Sequence, residues 1–85
     1  MAYNWVITAD HIETDEVGTT GPMGHDINTE NETEFRMFDD DGILYYEGKI
    51  WGDHDGFEPL DDFGMPNAGC TDIRYKNKSG VFESL

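Results

Sequence analysis

Eighty-five residues carrying nineteen Asp and Glu against five Lys and Arg have a formal net charge of −14, a field that repels DNA, RNA and anionic membrane and attracts cations and basic proteins. A chain this short buries only about 60–65 % of its unfolded surface, which points to a single compact acidic domain over residues 1–85 with a small core. Two Trp, four Tyr and five Phe can supply that core, and such a share of aromatics argues against a disordered chain.

The charge is uneven. Residues 1–35 hold eight acids and no Lys or Arg, residues 36–70 hold nine acids against Arg36 and Lys49, and residues 71–85 come to +1. Cys70 is the single cysteine, so no intrachain disulfide framework is available and a reducing compartment is expected. The start of the chain has neither a basic n-region nor a long apolar run. The expected location is cytoplasmic, which for a phage-encoded chain means the host cytoplasm.

Tyr3 to Ala9 is dense in aromatic and β-branched residues and reads as a first strand. Asp10 followed by Glu13 resembles a capping box and predicts a short helical turn, stopped by Gly18. Gly18, Gly21, Pro22 and Gly24 then punctuate a loop that continues through the polar stretch 26–32. The glycine spacing invites a phosphate-loop reading, but no strand-then-helix context frames it, no Lys follows, and the surrounding acids repel phosphate.

Thr33 to Trp51 holds two alternating runs about Asp41-Gly42, a strong hairpin signal. A two-residue turn there pairs Asp40 with Ile43, Phe38 with Tyr45, Met37 with Tyr46, Arg36 with Glu47, Phe35 with Gly48 and Glu34 with Lys49. That register yields two opposite-charge pairs and sets an aromatic ring over a bare glycine. A three-residue turn over 40–42 shifts the pairing by one and separates both ion pairs, so the two-residue turn is expected. With Phe35, Met37, Leu44, Tyr46 and Ile50 facing the core, Phe38, Tyr45 and Trp51 face outward.

Gly52 to Gly69 is too long for a plain connection and is a candidate functional loop. Phe57, Leu60, Phe63 and Met65 are expected to pin it to the body, while Asp53, Asp55, Glu58, Asp61 and Asp62 ride on it. Thr71 to Lys76 alternates as another strand, Asn77 to Gly80 is a turn, and Val81 to Leu85 a last strand. The expected fold is all-β or β-rich α+β, with about five short antiparallel strands, mostly in hairpins, in one sheet or a small open barrel. At most one or two short helical turns are placed between Asp10 and Glu32.

No stretch names a reaction. Neither acid-rich glycine turn aligns with an EF-hand loop, because Trp51 or Met37 falls where the first Asp ligand belongs. A calcium site of another type in the 53–62 loop is the alternative reading. His11, His25, His54 and Cys70 are scattered without ligand spacing, so no metal or other cofactor is expected. Cys70 has no cationic sequence neighbour to form a thiolate and reads as a small buried thiol. No pair of carboxylates stands out for acid–base work, and the chain is not expected to be an enzyme.

The acids can act together. Carboxylates at turn tips and sheet edges offer a basic protein something like a phosphate backbone and steer its approach. The expectation is a small acidic binding protein or inhibitor that engages a basic protein or nucleoprotein complex, with no direct binding of nucleic acid or membrane. The contact residues are Asp39, Asp40, Asp41, Asp53, Asp55, Glu58, Asp61 and Asp62, with Phe38, Tyr45 and Trp51 as apolar anchors. In general character the profile is similar to phage-encoded DNA mimics and anti-CRISPR proteins, although no motif carries that likeness residue by residue. A structural or accessory domain whose acids serve only solubility is the remaining alternative.

Overall fold

The computed structural model describes residues 3–22, 32–52 and 56–84. Six strands, β1 (Tyr3–Asp10), β2 (Thr20–Pro22), β3 (Thr33–Phe38), β4 (Leu44–Gly52), β5 (Asp72–Lys76) and β6 (Phe82–Ser84), form one open antiparallel sheet in the order β2-β1-β4-β3-β5-β6. The five expected strands are present. The sixth, β2, lies in the stretch expected to be loop: Trp5 covers Gly21, its ring 2.9 Å from where a Cβ would stand, so the glycine that looked like a loop signal is the residue that lets the strand lie flat.

The register of the central hairpin is Glu34–Lys49, Phe35–Gly48, Arg36–Glu47 and Met37–Tyr46, as expected, but Phe38 stands opposite Leu44 instead of Tyr45. The turn is the three-residue kind. Asp39 N–H donates to the Ile43 carbonyl, Gly42 N–H donates to the Asp39 carbonyl, and Gly42 sits at φ 79 in the left-handed region. The Asp39 carboxylate accepts the N–H groups of Asp41 and Ile43, both at 2.9 Å, which favours this turn over the tighter one. Tyr45 is then an extra residue on β4, and this bulge restores the register that the longer turn would have lost.

The helix falls elsewhere than expected. Within the described residues 10–22 there is none: the Asp10 carboxylate accepts the N–H groups of Ile12, Thr14 and Glu16 and the Thr14 hydroxyl, and the chain arcs around it with Glu13 at φ 56 and Asp15 at φ 61. Those left-handed residues are incompatible with a right-handed turn. The helical segment is a π-helical turn, Leu60–Gly64, running into the one-turn helix α1, Met65–Ala68. Pro66 has no N–H for the carbonyl four residues back, and the wider turn before it, with Met65 N–H reaching the Leu60 carbonyl, accommodates that missing bond.

One face of the sheet is the inner face. Register aligns Phe35 with Gly48 and Ile7, Met37 with Tyr46 and Ile73, and Ile50 with Trp5; all of these are buried. The 56–70 segment packs on this face through Leu60, Phe63, Gly64 and Cys70. The Phe63 ring lies 5.4 Å from Trp5 and 5.0 Å from Tyr46, and Gly64 leaves room for the Met37 sulfur, 2.6 Å from where a Cβ would stand. Leu60 and Phe63 pin the segment as expected, whereas Phe57 and Met65 are exposed.

Candidate partner-binding surface

Strand direction sorts the charged residues along the sheet. The end of β1, the start of β4 and the start of β5 meet at one end, since Asp10 aligns with Tyr46 and Phe38 with Asp72. Gathered there are Asp10, Glu13, Asp15 and Glu16 from the β1–β2 connection, Asp39, Asp40 and Asp41 from the hairpin tip, and Asp72. No Lys or Arg among the described residues belongs to that end. The nearest, Arg36 and Arg74, are already paired with Glu47 at 3.0 Å and Asp72 at 2.8 Å. The opposite end holds Lys49, Lys76 and Lys78 around a shallow groove of about 370 Å³ with Glu32 and Glu34.

These acids divide by what their oxygens do. Asp10 and Asp39 are committed to their own turns. Burial alone would raise the Asp10 carboxyl, but the bonds it accepts from the Thr14 hydroxyl and the N–H groups of Glu16, Ile12 and Thr14 hold it below its ordinary value. Glu13, Asp15, Asp40 and Asp41 are exposed, and their carboxylates make no hydrogen bond or ion pair among the described residues. Exposed carboxylates without internal partners are the ones a basic partner can reach without dismantling the fold.

The sequence-derived contact residues are therefore dispersed. Asp40 and Asp41 are free at the tip, and Asp61 is exposed over the inner-face layer. Asp62 accepts the Tyr3 hydroxyl at 2.8 Å and the Trp5 indole N–H at 3.2 Å, and Glu58 accepts Gly56 N–H at 2.8 Å. Asp53, Asp55, His25 and His54 lie outside the described residues. Among the described residues no group of three His, Cys, Asp or Glu is arranged to hold a metal ion.

The aromatic anchors differ from the expected arrangement. Phe38 faces outward but lies under the Arg74 guanidinium, 4.2 Å from the ring centre. Tyr45 packs against the core cluster, edge-on to Tyr46, because the bulge re-aims it; the Leu44 side chain beside it is half-buried instead of in the core. Trp51 pairs with Asn4 across β1 and β4 on the outer face yet is only 7 % exposed, and its buried indole N–H has no hydrogen-bond partner among the described residues. A second Arg–aromatic stack, Arg36 over Phe82 at 4.0 Å, was not anticipated. Its sequence signal is faint, since it joins β3 to β6, strands that are not neighbours in the sheet.

Comparison with family models, curated proteins and solved structures finds no match. The chemistry of the surface has to be judged from the side chains themselves. Cys70 is fully buried, and burial, with a smaller effect from the Asp39 carboxylate, pushes its thiol up to about 11, so it stays protonated at neutral pH. Burial would raise the Glu47 carboxyl, but hydrogen bonds from His11 at 2.8 Å and Arg36 at 3.0 Å, and their charge, hold it below its ordinary value. No described helix is long and apolar enough to cross a membrane.

Proposed function

We propose that this chain is a small acidic binding protein that engages a basic, nucleic-acid-binding protein or nucleoprotein complex by charge complementarity, in the manner of a DNA mimic. The observation that supports this reading is the segregation of charge: Glu13, Asp15, Asp40 and Asp41 are exposed at one end of the sheet, while Lys49, Lys76 and Lys78 stand at the other. Free carboxylates held on two ordered turns resemble a short run of phosphates. They raise the rate of encounter with a basic groove more than they lengthen the life of the complex.

The test is a pull-down from the native host at low and high salt, with bound proteins identified by mass and compared with charge-reversed variants. Asp40→Lys/Asp41→Lys is expected to weaken capture of a basic nucleic-acid-binding protein much more than Glu83→Lys, and raising the salt is expected to do the same. Capture unaffected by salt and by the tip variant would overturn the reading. Asp39 and Asp62 are unsuitable for this comparison because reversing them also breaks internal hydrogen bonds.

A further inference from the structure

The outer face of the sheet differs from the rest of the surface. Arg36, Lys49, Arg74 and Lys76, four of the five basic residues of the chain, stand on it beside Glu34, Glu47 and Asp72. Glu32 pairs with Lys49 there at 3.2 Å, so in a chain of net charge −14 the described residues of this face carry no excess of acid. The inner face is covered by the 56–70 segment; on the outer face the four basic side chains remain 38–43 % exposed. Among the described residues, only the corner formed by Asn4 and Trp51 is buried there.

The arrangement of signs is regular about one line. Across β3 and β4, Arg36 sits beside Glu47 and Glu34 beside Lys49, so each step across that line exchanges one sign for the other, and the two rows do so in opposite senses. A second copy turned by a half-rotation about an axis parallel to the strands, above the line between β3 and β4, lays its β4 over the first copy's β3. Arg36 then meets the second copy's Glu47, and Glu34 meets its Lys49, each contact occurring twice. Such a surface is self-complementary, as a twofold interface must be, and it corresponds to the aligned packing of two sheets.

We propose that the outer sheet face is a self-association surface whose occupant is a second copy of this chain, related by that twofold axis. The long dimensions of the molecule, 33 and 29 Å, bound a face large enough for the roughly 800 Å² per partner that stable interfaces bury. Phe38 and Phe82, half-buried under Arg74 and Arg36, contribute apolar area between the charged rows. The acids at the sheet end lie beside the contact rather than within it, and salt near 0.15 M screens charges more than about 8 Å apart. The pairing is independent of any basic partner.

Sedimentation or light-scattering mass of the full chain, measured from micromolar concentration up to about 100 μM in about 0.15 M salt, tests it. The expected mass is twice 9.7 kDa at the upper concentrations. Arg36→Glu places like charges together twice per dimer and is expected to raise the dissociation constant at least tenfold. The swapped variant Arg36→Glu/Glu47→Arg restores opposite signs across the axis and is expected to recover dimerisation. A monomer at every concentration, an Arg36→Glu variant that dimerises like the wild type, or two folded variants with no recovery on swapping would each overturn the proposal. Where Arg36→Glu does not fold, judged by circular dichroism, Lys49→Glu and its swap with Glu34 probe the neighbouring row and decide by the same outcomes.

Discussion

The Phe35 ring occupies the space that a side chain at Gly48 would need, its Cζ 2.5 Å from the position of a Cβ there, and the Val6 carbonyl oxygen closes the same site from the other side. Gly48→Ala is therefore expected to destabilise the domain by about 2–3 kcal/mol, the cost of overpacking against atoms that cannot all move. In a domain of this size that lowers the melting temperature by roughly 4–8 °C for each kcal/mol. Adding Phe35→Leu to Gly48→Ala should recover little, because the Val6 oxygen is backbone; a complete recovery in thermal melts would show that the ring alone fixes the glycine.

Asp39 and Asn77 perform the same task at two hairpin tips. Asn77 Oδ1 accepts the N–H groups of Ser79 and Val81 as Asp39 does those of Asp41 and Ile43, and Gly80 sits at φ 85 where Gly42 sits at φ 79. Asp39→Ala removes two hydrogen bonds from a tight turn and is expected to cost about 1–2 kcal/mol, while Asp39→Asn should retain most of that stability through its side-chain carbonyl. Chemical denaturation of the three proteins gives the comparison. Equal stability of the Ala and Asn variants would contradict this account of the turn.

The same carboxylate acts on Tyr45. A hydrogen bond to Asp39, then its negative charge, raises the Tyr45 phenol above 10.0, because a tyrosinate beside a carboxylate is disfavoured. In Asp39→Ala the Tyr45 titration, followed by ultraviolet absorbance or NMR, is expected to move down toward the ordinary tyrosine value. A midpoint that stays in place or rises would place the cause elsewhere.

The hairpin register was legible in the sequence because it is fixed by side chains whose partners can be counted: Phe35 over Gly48 and Arg36 beside Glu47. The turn length was not, because Asp-Gly at 41–42 suits a two-residue turn as well as the last positions of a three-residue one. The Asp-x-x-Gly pattern beginning at Asp39, repeated as Asn-x-x-Gly at Asn77, is the feature that distinguishes them. Asp10 misled for a related reason: a capping carboxylate bonds nearby N–H groups in a helix or in an open arc, and only the backbone at Glu13 and Asp15 decides between them. Of the candidate surface, the free acids at Asp40 and Asp41 could be named from sequence. Their grouping with Glu13 and Asp15 could not, because it depends on β1 lying beside β4.

Low pH should loosen the sheet through Glu47 and Asp10, whose carboxyls are both held below their ordinary values of 4.5 and 3.8. For a lowered carboxyl the stabilisation is fully present above the unfolded value and is lost as pH falls through the folded one. Stability is thus expected to decline below about pH 4.5 as Glu47 releases His11 and Arg36 and Asp10 releases its turn. Glu47→Gln should flatten part of that decline. An unchanged acid limb in pH-dependent melts of the variant would exclude Glu47 as a contributor.

Asp61 and Asp62 are adjacent and chemically identical but unequal in their surroundings. Asp62→Ala removes the acceptor shared by Tyr3 and the Trp5 indole and is expected to cost about 1 kcal/mol, with a shift in Trp5 fluorescence. Asp61→Ala, at an exposed site, should stay within about 0.5 kcal/mol of the parent. Equal effects from the two would mean that neither the Tyr3 nor the indole bond contributes to stability.

The compensation between the long turn and the extra residue at Tyr45 separates the tip of the hairpin from its base. Residues 40–42 can be exchanged for another three-residue loop ending in glycine without any core side chain changing face. Removing one residue from that loop alone forces the bulge to bear the mismatch, whereas removing one from the loop together with Tyr45 leaves every pairing from Glu34 to Met37 intact. The acidic tip is thus a replaceable cassette on a fixed chassis, and foreign recognition loops could be installed there while the sheet beneath stays as it is.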